Sequence, residues 1–271
     1  MFTFDSAAGL PGIELASLSG LMLQFLFGML RIGAFLVASP MFGSRFVPLQ
    51  VRIVASVLIT VSVFTTVEMP PVELLSQPTA ISAAFIELII GLGGGLLLTI
   101  LFGAGALAGD RIASTAGLGF AAQMDPVMGG QTPVVSQIFS LFLLAIFLSA
   151  DGHLVAIRIM IESYQILPIG GGVDMTQLVD NGLRAASQMF VMGVSLMLPV
   201  VAVLLIVNIV IGVITRSAPQ MNIFSFGFPL TMLTAISLLF LGAPTLAMGL
   251  QTVVDISLEA LGAMIKAVSN G

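Results

Sequence analysis

Charged residues make up only 8% of this 271-residue sequence, so each one inside an apolar stretch is a candidate for chemistry. Arg31 lies within the first long apolar run, where an arginine at a helix centre costs about 2.5–3.5 kcal/mol to insert. Snorkelling to the nearer interface or a protein partner is expected ahead of a role in transport, and Glu87 poses the same choice. Arg158 and Glu162 are four residues apart and can pair on one helical turn, in the weaker order for such a pair. His153, the only histidine, stands close to Asp151. That grouping is either the polar end of a segment or a proton relay, and the polar end is the plainer reading. Cysteine is absent, and no H-E-x-x-H, G-x-S-x-G or P-loop pattern occurs. Neither a nucleophile–base pair nor a metal pair can be assembled, so no enzyme activity, cofactor or metal is expected.

Small residues form a second kind of pattern. Gly91, Gly95, Thr99 and Gly103 recur at intervals of four, as do Gly105, Gly109, Ala113 and Gly117. That spacing places each set on one helix face, along which another backbone can approach closely. The face is an intramolecular helix contact, a subunit interface, or the lining of something that slides. Gly117-Leu118-Gly119-Phe120-Ala121-Ala122 matches the letters of a dinucleotide fingerprint, but a strand has to precede such a loop. Here a glycine-rich apolar helix precedes it. An apolar loop able to occlude a pore fits better, because hydrophobic constrictions close by dewetting. Met124 and Met128 straddle Asp125-Pro126, and thioethers suit conforming surfaces or simply fill a core.

The elements that carry these residues are membrane segments. Hydrophobic residues make up 58% of the chain, against a charged share of roughly a quarter in soluble domains. No charge occurs between Glu87 and Asp110, Asp125 and Asp151, Arg184 and Arg216, or Arg216 and Asp255. Each gap exceeds the roughly 20 residues that cross a hydrocarbon core. Six apolar segments are read at about 18–38, 52–67, 79–109, 133–150, 185–215 and 224–250, with a weaker seventh at 154–167. The short alternating strands of a membrane barrel are missing, so the fold class is an all-α integral membrane protein. Breaks are expected at Ser39-Pro40, Met69-Pro70-Pro71, Asp125-Pro126, Gly170–Gly172 and Ala218-Pro219. Pro199 is expected to kink or break the fifth segment. The net charge of −5 is scattered, which argues against a nucleic-acid partner. Asp5 and Glu14 with no early Lys or Arg argue against a cleavable signal.

Four stretches together resemble the FliR family of bacterial flagellar export-gate proteins and its FliR/SctT relatives in virulence type III secretion. They are RIGAFLVASPMFGSRFVPLQVR (31–52), AGDRIASTAGLGFAAQMDP (108–126), DGHLVAIRIMIESYQILPIG (151–170) and TRSAPQMNIFSFGFPL (215–230). The resemblance implies one export-gate membrane domain over 1–271, with FliP-like and FliQ-like halves built from helical hairpins. It also implies partners: FliP and FliQ in a hetero-oligomeric channel, FlhB wrapped around it, FlhA nearby, and unfolded flagellar proteins as cargo. The expected place is the inner membrane at the flagellar basal body. The family's apolar plug loop corresponds to Gly109–Met124, with Ile112, Leu118, Phe120 and Met124 as blocking side chains and Gly117 and Gly119 as hinges. Gln123 departs from an apolar pattern there. Gly91, Gly95, Gly103, Gly105, Gly109 and Pro199 are the expected helix- or subunit-packing positions. Deletion of Ile112–Phe120 is expected to make cells leak small ions. A secondary transporter, with internal repeats and clustered midplane charges, is the rival from another class.

Overall fold

The computed structural model describes residues 15–44, 47–67, 69–118, 134–218 and 226–269. Those residues contain helices and no strand. In order they form α1 (Leu15–Ala38), α2 (Leu49–Thr66), α3 (Val72–Leu75), α4 (Thr79–Thr115), α5 (Val134–Ser149), α6 (Gly152–Ile166), α7 (Met175–Ser217), α8 (Phe228–Leu241) and α9 (Ala243–Ser269). Five are long and apolar enough to cross a membrane, or six crossings if the bent pair α5–α6 counts as one.

Local chemistry explains most of the ends. Pro40 cannot continue α1, and the Ser39 N–H closes its last turn on the Phe35 carbonyl. Pro48 precedes α2, whose far end runs into extended Val67 and then Met69-Pro70-Pro71. Asp174 caps α7, its Oδ1 accepting from the Thr176 and Gln177 N–H groups at 2.8 and 3.3 Å. Between α5 and α6 the chain turns at Asp151, which adopts φ 55, a conformation an aspartate tolerates better than most residues. The Asp151 carbonyl then accepts from Leu154 and Val155, starting α6.

One expectation is narrowed and another is corrected. Pro199 does not break the fifth segment, because α7 runs through it as one helix of 43 residues. In an apolar medium the neighbouring helix bonds have no water to exchange with, so the helix forfeits one bond rather than a turn. The stretch read as one segment at 224–250 is two helices, separated at Gly242. Gly242 and Pro244 act together: the proline removes an N–H in the first turn of α9, and glycine is a poor helix former because it loses the most backbone freedom.

Two compact units are present. The first gathers the chain up to Leu96 with Ile157–Leu178 and the chain from Gly262. Within it α1 packs on α2 and α3, and Phe27, Leu75 and Ala80 form a buried cluster. The Asp174 N–H donates to the Val268 carbonyl, tying the C-terminal helix to this unit. The second unit comprises Leu97–Ala156 and Val179–Leu261. Its core includes Leu101, Ala104, Leu143 and Leu204, all fully buried, and Phe102 meets Phe147 edge-on at 5.2 Å. The most apolar window of α4 is 50% buried, against 17% in α2 and α7.

Candidate functional site

Two constellations stand out, one in each unit. In the first unit, Glu87, Gly91 and Gly95 occupy one face of α4 at intervals of four and meet α1. A Cβ on Gly91 would collide with the Arg31 carbonyl oxygen and lie 2.8 Å from Ala34 Cβ. On Gly95 it would lie 2.6 Å from Ala38 Cβ and 2.7 Å from the Phe35 carbonyl oxygen. The backbones therefore touch along this crossing, and only glycine fits there.

Arg31 is sealed into the same crossing with 0% exposure. Its Nε donates to Glu87 Oε2 at 2.7 Å and one terminal nitrogen to Oε1 at 3.0 Å, a two-pronged ion pair. The other terminal nitrogen donates to Ser163 Oγ at 2.9 Å, and the first also reaches the Leu167 carbonyl at 2.9 Å. The guanidinium carbon lies 4.2 Å from the Tyr164 ring centroid, and the Tyr164 hydroxyl donates to the Gly28 carbonyl at 2.6 Å. Of the outcomes open to Arg31, a protein partner is found and snorkelling is not.

In the second unit the decisive feature is the end of α4. Gly117 has φ +84. The Leu118 N–H bonds to the Ala113 carbonyl at 3.0 Å and the Gly117 N–H to Ser114 at 3.1 Å, the paired bonds of a Schellman cap. Two carbonyls remain, and side chains take both. Asn208 Nδ2 of α7 donates to Thr115 at 3.0 Å, and the single proton of Thr231 Oγ1 on α8 is shared between the Ala116 carbonyl at 3.1 Å and the Phe228 carbonyl at 3.0 Å. The final carbonyls from Ile112 to Ala116 thus all have donors. A helix end inside a membrane protein needs that complete accounting. A Cβ on Gly117 would strike the Phe228 ring, so α8 closes over the cap.

The neighbouring glycines hold α5 against α4. A Cβ on Gly109 would lie 2.5 Å from Ser136 Cα and 2.7 Å from its nitrogen. Ser136 Oγ donates to the Ala106 carbonyl at 2.9 Å. Gly105 faces Leu143 and Phe139 at ordinary contact distance, and Gly103 faces Met189 of α7 at 3.6 Å with room for a methyl group. The glycine stripes therefore make intramolecular contacts in these units, to α1, α5, α7, α8 and α9.

The sequence-derived plug positions divide. Ile112 lies inside α4 and is fully buried, so it belongs to the packed helix end rather than to a loop. Leu118 is half-buried, immediately after the cap. Gly119, Phe120 and Met124 lie outside the described residues, as does Pro219. Pro199 is exposed on α7. Arg158 and Glu162 are both exposed and do not pair; the ion pairs among the described residues are Arg31–Glu87 and Arg184–Asp180. His153 is half-buried, and its Nδ1 has no hydrogen-bond partner.

Sequence reasoning missed Ser163, Tyr164 and Leu167 around Arg31, and Asn208 and Thr231 at the α4 cap. Asn208 left a signal, as the one side-chain amide in the apolar run from 189 to 215.

The sequence pattern of a family described as bacterial export proteins, family 1, matches residues 22–256. The flagellar biosynthetic protein FliR of Escherichia coli (strain K12) is 33% identical over 230 residues, covering 85% of this chain and 87% of that protein. The chain belongs to the FliR family of bacterial export proteins. FliR of Aquifex aeolicus (strain VF5) is 31% identical over 223 residues, covering 82% of this chain and 86% of its own length. FliR of Bacillus subtilis (strain 168) is 28% identical over 251 residues, covering 90% and 95%. The family resemblance read from the four stretches therefore holds. With its long apolar helices, the chain is an integral membrane component of flagellar protein export.

Proposed function

We propose that this chain is a gate subunit of the flagellar type III export channel in the bacterial inner membrane. On this reading it assembles with FliP-type and FliQ-type subunits, with FlhB- and FlhA-type proteins at the same basal body. Unfolded flagellar proteins are the cargo. The observation that carries the reading is the length of α7. The 31 residues between Arg184 and Arg216 bear no charge and lie in one unbroken helix. At 1.5 Å per residue they span about 46 Å, against a hydrocarbon core of about 30 Å. Tilt alone would have to reach about 50° to bury them in lipid, beyond the 0–40° of ordinary membrane helices. Yet Val191, Leu198, Ile206 and Ile209 are all more than half exposed in the isolated chain. Partner helices, rather than lipid alone, are the natural cover for that excess.

The plug belongs to the same proposal. The capped end of α4 is a rigid post from which the stretch carrying Leu118, Gly119, Phe120 and Met124 departs, with Gly117 holding the exit direction. Ile112 anchors that post. A deletion beginning at Ile112 would remove buried core together with the plug, so the informative deletion is 119–124. Cells carrying it are expected to leak small ions across the inner membrane while the subunit still accumulates and co-assembles. Membrane permeability to protons and potassium, read with a potential-sensitive dye, checks this. Unchanged permeability with normal assembly would remove the plug assignment and leave the subunit assignment standing.

A further inference from the structure

Buried ion pairs can be interchangeable in sign or committed to one polarity, and the surroundings of Arg31 decide which applies. Position 31 is fully enclosed, and so is position 87. Three groups besides Glu87 face the guanidinium. The Leu167 carbonyl can only accept. The Ser163 hydroxyl already donates to the Met160 carbonyl at 2.6 Å, so toward Arg31 it presents lone pairs. The Tyr164 ring offers its electron-rich face. All three favour a cation and disfavour an anion. Leu167 also stands just past the last residue of α6, where the helix dipole is negative and a cation is favoured again.

The donor count supports the same conclusion. Of the five guanidinium N–H groups, two serve Glu87, one Ser163 and one Leu167. A lysine has no such fork. The residues joined are far apart in the chain: Arg31 is 56 positions from Glu87, 132 from Ser163 and 136 from Leu167. The cluster is also closed, with every member buried. It therefore has no open side through which an ion or proton would be exchanged, and its role lies within the unit.

We propose that Arg31 is the single cation of a polarity-specific lock that joins α1, α4 and the end of α6. Glu87 supplies the counter-charge, and Ser163, Tyr164 and the Leu167 carbonyl read the sign. The lock closes only when all three helices are present, so α1 is not seated until the chain has been made through residue 167. This inference does not depend on the gate reading, because it concerns how the first unit holds together and not what passes through a channel.

The test uses the full chain, expressed in its native bacterial host, in five forms: R31L, E87L, R31L/E87L, R31E and the swap R31E/E87R. The readouts are membrane abundance and the thermal midpoint of the detergent-extracted protein, neither of which requires export. Each single change leaves a buried charge without its counter-charge, and abundance is expected to fall at least about tenfold. The double leucine removes both charges in a similar volume and is expected to return to within about threefold of the parent. The swap keeps a formally neutral pair but turns a carboxylate toward a carbonyl, a hydroxyl oxygen and a ring face. It is expected to remain as low as R31E. A swap that recovers to the level of the double leucine overturns the proposal, as do single variants at parental abundance. A double leucine no more abundant than the singles also overturns it, because the loss would then not arise from an uncompensated charge.

Discussion

Replacing Gly109 with valine is expected to abolish stable accumulation of the protein. The atoms that a β-carbon would meet there are backbone: Ser136 Cα at 2.5 Å, Ser136 N at 2.7 Å and the Val135 carbonyl oxygen at 2.8 Å. No rotamer change relieves such a collision, so α4 and α5 must separate along the crossing. Separation breaks the 2.9 Å bond from Ser136 Oγ to the Ala106 carbonyl and leaves both groups in apolar surroundings. Overpacking a core costs about 1–3 kcal/mol when side chains can adjust, and here they cannot, so the loss lies at or above the top of that range. Gly103→Ala is the matched control. A methyl group there stands 3.6 Å from Met189 Cγ, and alanine is about 1 kcal/mol better than glycine in a helix interior. It is expected to be neutral or slightly stabilising. Membrane abundance and thermal midpoint of the two variants settle the point, and equal behaviour would refute the backbone-contact reading of Gly109.

Gly117→Val carries the second large effect, for a different reason. The residue sits at φ +84, in the left-handed region where a β-branched side chain is strained by about 1–2 kcal/mol. Its β-carbon would also strike the Phe228 ring, with Cδ1 at 2.7 Å. The two costs can be separated. Gly117→Ala with Phe228→Leu relieves the ring collision and leaves the backbone strain. The pair is therefore expected to recover about half of the thermal-midpoint loss seen in Gly117→Ala alone. Full recovery would mean that the positive φ contributes nothing, and no recovery would mean that Phe228 does not close over the cap. Loss of the cap also frees the carbonyls now held by Asn208 and Thr231. On the gate reading, cells with Gly117→Val leak ions even where some protein accumulates.

The sequence made the solvent legible, and with it the fold class, because a charge-free run longer than a membrane crossing cannot form a water-facing surface. It also made the glycine faces legible, since a four-residue interval is a geometric statement about a helix. Which helix each glycine meets was not legible: Gly91 and Gly95 turn to α1, Gly109 to α5, and Gly103 to α7. The pairing of Arg31 with Glu87 was within reach. Both are isolated charges in apolar segments, and Glu87 continues the stripe of Gly91 and Gly95 by one step of four. The rest of the lock was not, because Ser163, Tyr164 and Leu167 look like an ordinary amphipathic helix end until folding brings them to Arg31. Pro199 left a kink and a break both open, and the helix proves continuous through it. Gly242 and Pro244 were overlooked because no charge marks that break.

The length and exposure of α7 bear on the central claim, that this subunit is built to be covered by partner helices. Purification in mild detergent from the native bacterial host, followed by native mass spectrometry, tests it most directly. The expected species is a hetero-oligomer containing this chain with FliP-type and FliQ-type subunits. A monomer or a symmetric homo-oligomer as the species recovered under those conditions would contradict it and return the long apolar face to lipid.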